Sequence, residues 1–225
     1  MILDRKKRYL HIALNSTLSD AYRIIPTLPV SDRIIIEAGT PLIKQFGTDA
    51  ISQILALWSR RLYGTNIRPY IVADMKTMDR AETEVVLAKS AGASGVIVLG
   101  QAPLETVDNF IAVCKREGLD SFVDMMNVKE PIQIMRKLKN KPDVVLLHRG
   151  VDEEVFNKIK PIPYVQINKV LSSYNVLIGI GGGDTIREVQ RAIFNNTSVV
   201  MVWKNFYSAQ DNTSQLAEEF LKGIK

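Results

Sequence analysis

Eight times along the chain a short run of β-branched and apolar residues gives way to a longer stretch with helical spacing of its apolar positions. No other feature restricts the fold as much. The strand-like runs fall at 9–14, 33–38, 68–75, 94–99, 121–126, 143–148, 175–180 and 198–203. The helical stretches fall at 19–25, 48–63, 79–90, 104–117, 131–138, 153–159, 185–194 and 214–222, with 161–171 left without a clear assignment. Several runs are almost continuously apolar, as in Ile34-Ile35-Ile36 and Val96-Ile97-Val98-Leu99, the pattern of a parallel strand buried on both faces. Thr185-Ile186-Arg187-Glu188 has the spacing of a capping box at the start of its helix. Eight strand-then-helix units in 225 residues predict an α/β fold, a single (β/α)8 TIM barrel occupying 1–225, slightly under the ~250 residues typical of that architecture. An open doubly wound sheet is the alternative, because alternation alone does not establish closure.

Charge and cysteine content narrow the class further. The net charge of +5 is spread along the chain, without the aromatic-interleaved basic cluster that stacks on bases, so no nucleic-acid partner is expected. Arg5-Lys6-Lys7-Arg8 precedes the apolar Tyr9-Leu10-His11-Ile12-Ala13-Leu14, superficially like a secretory signal. That stretch contains a histidine and runs into Asn15-Ser16-Thr17 without a small-residue cleavage site. With no run approaching the ~18 apolar residues of a membrane span, no membrane association is expected. Cys114 is the single thiol, so the chain cannot form an internal disulfide, and a cytoplasmic location is expected.

Polar residues gather where the strand-like runs end: Asn15, Glu37, Asp74 with Lys76, Asp124, His148, and Gly181-Gly182-Gly183. In a parallel barrel those ends form one mouth, which holds the active site. One such residue alone reads as a cap or turn; together they predict a site. Asp74 and Lys76, two apart, share a strand face, and Asp79 stands at the start of the next helix. Flanking carboxylates would keep Lys76 protonated, a fixed ammonium suited to stabilising an oxyanion or delivering a proton. Glu37 and Asp74 are candidate ligands of a hard cation such as Mg²⁺, whereas two histidines and one cysteine make a zinc site unexpected. His148 is the imidazole placed for acid–base work; His11, mid-strand, reads as structural. Gly179-Ile180-Gly181-Gly182-Gly183-Asp184 lacks the dinucleotide fingerprint but lies where barrels bind phosphate, although the Asp184 carboxylate would oppose an anion there.

The motifs also carry a resemblance. Glu37-Ala38-Gly39-Thr40-Pro41-Leu42-Ile43-Lys44, Ala73-Asp74-Met75-Lys76-Thr77-Met78-Asp79, Val123-Asp124-Met125-Met126-Asn127-Val128-Lys129-Glu130-Pro131 and His148-Arg149-Gly150-Val151-Asp152 stand in the order found in one family. The chain resembles the 3-hexulose-6-phosphate synthases of the orotidine 5′-phosphate decarboxylase superfamily. Related 3-keto-gulonate-6-phosphate decarboxylases usually carry Glu at the position of Asp124 and Arg at that of Val151. The resemblance implies a Mg²⁺-dependent lyase joining ribulose 5-phosphate and formaldehyde, or the reverse, through an enediolate. By the same resemblance Glu37 and Asp74 hold the metal, Lys76 stabilises the enediolate and His148 transfers protons. Asp79 then completes the site of a partner subunit, which implies a homodimer. Asn15, Asp124, Gly181, Gly182, Gly183 and Lys204 are the expected substrate-binding residues.

Three positions depart from the family pattern: Asn15 replaces an Asp, Asp184 follows the glycines, and Trp203-Lys204-Asn205-Phe206 replaces a small Gly-containing turn. They keep two alternatives open, a decarboxylase of the same superfamily and a non-catalytic or retasked ligand-binding barrel.

Overall fold

The computed structural model describes residues 1–157, 162–182, 185–209 and 212–225. Its strands are β1 (Tyr9–Leu14), β2 (Ile34–Ala38), β3 (Ile71–Thr77), β4 (Gly95–Leu99), β5 (Asp120–Asp124), β6 (Val144–His148), β7 (Leu177–Gly181) and β8 (Val199–Val202). All neighbouring pairs are parallel, and β8 returns to β1, which closes the barrel and excludes the open sheet.

Around it lie helices α1 (Leu18–Ile24), α2 (Thr40–Phe46), α3 (Asp49–Arg61), α4 (Ala81–Ser90), α5 (Leu104–Glu117), α6 (Pro131–Lys137), α7 (Val151–Phe156), α8 (Tyr164–Leu171), α9 (Ile186–Phe194), α10 (Lys204–Ser208) and α11 (Thr213–Gly223). None is long and apolar enough to cross a membrane. The capping box forms as its spacing predicts: Glu188 N–H donates to Thr185 Oγ1 at 3.2 Å, and Thr185 N–H to Glu188 Oε2 at 3.0 Å. Helices α2 and α10 are additions to the strand-then-helix pattern, and α8 fills part of the unassigned stretch. Pro41 in the first turn starts α2, and α10 is a five-residue helix too short to show helical periodicity.

Two apolar layers follow from strand alternation. Outward residues such as Leu10, Ile36, Val98 and Ile178 pack against the helices. Inward residues including Ile35, Val72, Phe122, Leu146 and Met201 fill the barrel. The next inward position beyond each of these, two residues on, is Glu37, Asp74, Asp124, His148 and Trp203. The period that builds the core thus delivers polar and aromatic side chains to one layer at the mouth.

The opposite end is closed by a buried carboxylate. Asp120, at the start of β5, accepts hydrogen bonds from Ile2 N–H (2.6 Å), Leu3 N–H (2.9 Å) and the Tyr70 hydroxyl (2.8 Å), tying the first residues of the chain across the barrel floor.

Candidate active site

A cavity of about 580 Å³ opens at the carboxyl ends of the strands, with Glu37, Asp74, Lys76, Asp124 and His148 in its wall. Lys76 Nζ lies 2.9 Å from Asp74 Oδ2 and 3.3 Å from Asp124 Oδ2. Asp124 Oδ2 is also 2.9 Å from His148 Nδ1, and its Oδ1 accepts from Met126 N–H at 2.9 Å. One carboxylate therefore joins an ammonium to an imidazole. Contact between Lys76 and Asp124, 48 positions apart, joins the ends of β3 and β5 across β4.

Local backbone geometry aims Lys76. The β3–β4 register shifts between Ala73 and Thr77, and Lys76 sits at φ +44°, in the left-handed region that non-glycine residues seldom occupy. Such a conformation costs roughly 1–2 kcal/mol, which its two carboxylate partners offset. The Thr40 hydroxyl, placed by the start of α2, is 2.8 Å from both Asp74 Oδ2 and the Asp74 carbonyl, holding that carboxylate from the other side.

Electrostatics separate the two aspartates. Burial pushes Asp74 up, and the nearby Glu37 charge adds to the rise beyond what Lys76 opposes. Burial acts on Asp124 in the same direction, but His148 and Lys76 overcome it and hold the carboxyl below its ordinary value. Burial would depress Lys76, yet Asp74 and Asp124 raise it well above the usual ammonium range. For His148, too, burial lowers and Asp124 raises, and the net shift is upward. The layer thus carries a persistent ammonium beside a carboxylate–imidazole pair.

Asp74 Oδ1 is a buried oxygen without a hydrogen-bond partner, and Glu37, buried on the adjacent strand, turns Oε2 toward the His11 ring. Two carboxylates from adjacent strands are a donor set that suits a hard cation. No group of three or more His, Cys, Asp or Glu suited to a metal occurs among the described residues, so further ligands would be water or substrate oxygens. His11, which reads as structural from sequence, proves to touch this pair. Fully buried and edge-on to Phe122, it brings Nε2 within 2.9 Å of Glu37 Oε2.

The other expected residues divide. Asn15 lines the cavity, and its backbone N–H donates to the Tyr207 hydroxyl of α10 at 2.5 Å. Asn15 Oδ1 lies 1.8 Å from where a Cβ on Gly39 would stand, so that close approach requires glycine. Gly181 ends β7, and Gly182, at φ +94°, lines the cavity. Gly183 and Asp184 lie outside the described residues. Lys204 pairs with Glu154 at 2.6 Å instead of standing free. Asp79 is exposed and lies outside the cavity wall; the second carboxylate on Lys76 is Asp124.

Sequence spacing did not single out Arg149, Glu154 or Tyr207. All three act through contacts between different βα loops, so only their position just past a strand end could have marked the first two. Trp203 stands in the cavity wall with its ring edge-on to Tyr207, as its place after β8 suggested.

Residues 8–202 match the model of the orotidine 5′-phosphate decarboxylase / HUMPS family. The chain belongs to that family. It is 40% identical over 186 residues to the bifunctional enzyme Fae/Hps of Methanocaldococcus jannaschii, covering 82% of this chain and 44% of that protein. The bifunctional enzyme Fae/Hps of Methanoculleus marisnigri is 35% identical over 220 residues, covering 96% of this chain and 52% of the other. The chain spans about half the length of these relatives. Among solved structures, 3-hexulose-6-phosphate synthase from Salmonella typhimurium superposes with a TM-score of 0.83 at 25% identity, covering 96% and 98% of the two chains. Family membership makes the mouth of this barrel a candidate enzyme active site rather than a chance cluster of ion pairs.

Proposed function

We propose that this chain is a 3-hexulose-6-phosphate synthase-type lyase, condensing formaldehyde with ribulose 5-phosphate or running the reverse. The observation that carries the reading is the Asp74–Lys76–Asp124–His148 chain of contacts beside the Glu37 carboxylate and the unpartnered Asp74 Oδ1. Relatives named Fae/Hps and the similar hexulose-phosphate synthase support it.

An aldol condensation removes a proton beside the ketose carbonyl, forms a carbon–carbon bond to formaldehyde and returns a proton to the new alkoxide. Lys76, kept charged by two carboxylates, stabilises the negative charge that develops on the enediolate oxygens, an interaction stronger in the transition state than with neutral substrate. His148 has Nδ1 tied to Asp124, which fixes the ring and leaves Nε2 to move protons. Asn15 supplies a hydrogen-bonding side chain for a sugar hydroxyl. Glu37 and Asp74 would hold Mg²⁺, which when bound supplies positive charge to neighbouring substrate oxygens. Asp79, exposed beyond β3, is proposed to complete the partner's site in a homodimer.

The test is formaldehyde consumption in the presence of ribulose 5-phosphate. Mg²⁺-dependent turnover that falls by at least ~10²-fold in Lys76→Ala is expected. A fully active Lys76→Ala protein, or carbon dioxide release from a sugar-phosphate acid in place of formaldehyde chemistry, would overturn it.

A further inference from the structure

His11 is a buried polar side chain of the barrel core that the proposed chemistry leaves without a task. It is fully buried on β1 and edge-on to Phe122, with ring centroids 6.3 Å apart. A leucine would fill such a place without the cost of desolvating two ring nitrogens. The strand register explains what the ring reaches. His11 stands opposite Ile35 and Ala13 opposite Glu37, so on the inward face the histidine lies one step below the carboxylate. The residue level with Glu37 is thus an alanine, too small to separate the two. His11 Nε2 stands 2.9 Å from Glu37 Oε2, and neither atom has another hydrogen-bond partner among the described residues. His11 Nδ1 is buried and has none there either.

Asp74, the neighbouring carboxylate on β3, shows the same division of labour between its oxygens. Its Oδ2 is held by Lys76 at 2.9 Å and by the Thr40 hydroxyl at 2.8 Å, which leaves Oδ1 unpartnered. Each carboxylate of the pair therefore has one oxygen engaged by the protein. The geometry points to His11 as the positioning residue for Glu37: in the tautomer with its proton on Nε2, the ring engages Oε2 and fixes the carboxylate, so that the other oxygen is the one offered to Mg²⁺. This role rests on reading Glu37 and Asp74 as the cation's ligands, and it adds what holds the first of them. Glutamate has one more side-chain torsion to settle than aspartate, so an unheld Glu37 would lose more freedom on binding a cation. A partner that has already ordered the carboxylate removes that loss from the binding step and raises affinity. The opposite tautomer would bury an N–H without an acceptor and set a bare nitrogen against a carboxylate oxygen.

The experiment titrates Mg²⁺ into wild type, His11→Leu and His11→Gln by calorimetry, with melting curves to confirm folding. A glutamine amide nitrogen falls near the place of a histidine Nε2, so His11→Gln keeps a donor and His11→Leu removes it. His11→Leu is expected to bind Mg²⁺ at least about tenfold more weakly, and His11→Gln within about threefold of wild type. Wild-type affinity in a folded His11→Leu, or an equal loss in both variants, would leave the ring as packing only and overturn the role. Should His11→Leu melt early, the wild-type ring is read directly: the chain has two histidines, so long-range ¹⁵N–¹H spectra are assignable with His148→Asn as the reference. A proton on Nε2 and a signal that moves on Mg²⁺ saturation are expected; a proton on Nδ1, or no movement, would equally overturn it. A wild type that binds no Mg²⁺ would overturn the metal reading of Glu37 and Asp74 and the role together, whereas binding that His11→Leu does not weaken removes the role alone. Formaldehyde condensation is measured separately: Mg²⁺ binding that depends on His11 without turnover would sink the lyase reading and leave His11 in place.

Discussion

Asp124 shows how much one side chain organises. It is fully buried, yet its carboxyl lies below the ordinary range because His148 and Lys76 face it and the Met126 N–H caps its other oxygen. The local spacing of the Asp74 motif suggested Asp79 as the second carboxylate on Lys76, and the structure puts Asp124 there. Spacing along a strand reports which residues share a face, but not which strand end lies across the barrel mouth. The His148–Asp124 pair has a definite pH signature. His148 is raised in the folded state, so its contribution to stability is complete below the ordinary imidazole value of about 6.5 and is lost as pH climbs through the raised value. Asp124 is lowered, so its contribution is present above about pH 4 and is lost on acidification. Melting temperatures measured from pH 5.5 to 8.5 should fall for wild type across the alkaline side more steeply than for His148→Asn. Parallel profiles would show that the pair contributes nothing to folding.

At the scale of elements, the eight strands were readable because each is buried on both faces, which writes a run of apolar residues into the sequence. Their inward alternation also placed Glu37, Asp74, Asp124 and His148 at one level. Less was visible where a side chain from one loop fixes another: Tyr207 of α10 accepts from the backbone N–H groups of Asn15 and Ser16, and Thr40 of α2 braces Asp74. The partners in these contacts are more than thirty residues apart, a separation that local periodicity does not report. The β3 bulge at Lys76 was equally hidden, since no glycine marks its positive φ. The start of β5 supplies a prediction independent of the active site. Asp120→Ala removes the acceptor for the Tyr70 hydroxyl and for two backbone N–H groups, leaving buried donors unsatisfied. Chemical denaturation should show a loss of about 2–4 kcal/mol with the m-value preserved. A loss under about 0.5 kcal/mol would mean that water replaces the carboxylate at the barrel floor.

For the whole molecule, barrel closure turns a sequence pattern into a site, bringing residues from β2, β3, β5 and β6 into one cavity. It does not bring Asp79 there. If that residue serves a second subunit, two inactive variants must repair each other. Co-expressed Lys76→Ala and Asp79→Ala chains should regain about a quarter of wild-type activity, since half of randomly paired dimers carry one intact site. Absence of recovery in a protein that runs as a dimer by light scattering would assign Asp79 to its own chain or to the α4 entrance alone. Part of the positive charge seen in the sequence has a local place, since Arg149 and Lys76 both line the cavity.

The central claim is that this mouth makes a carbon–carbon bond. The most direct measurement follows ¹³C-labelled formaldehyde with ribulose 5-phosphate and Mg²⁺ by carbon NMR. The account predicts a new hydroxymethyl carbon in a hexulose phosphate, dependent on the wild-type chain and absent with Lys76→Ala. Label remaining as hydrated formaldehyde with the wild-type protein, or entering product equally with Lys76→Ala, would contradict it.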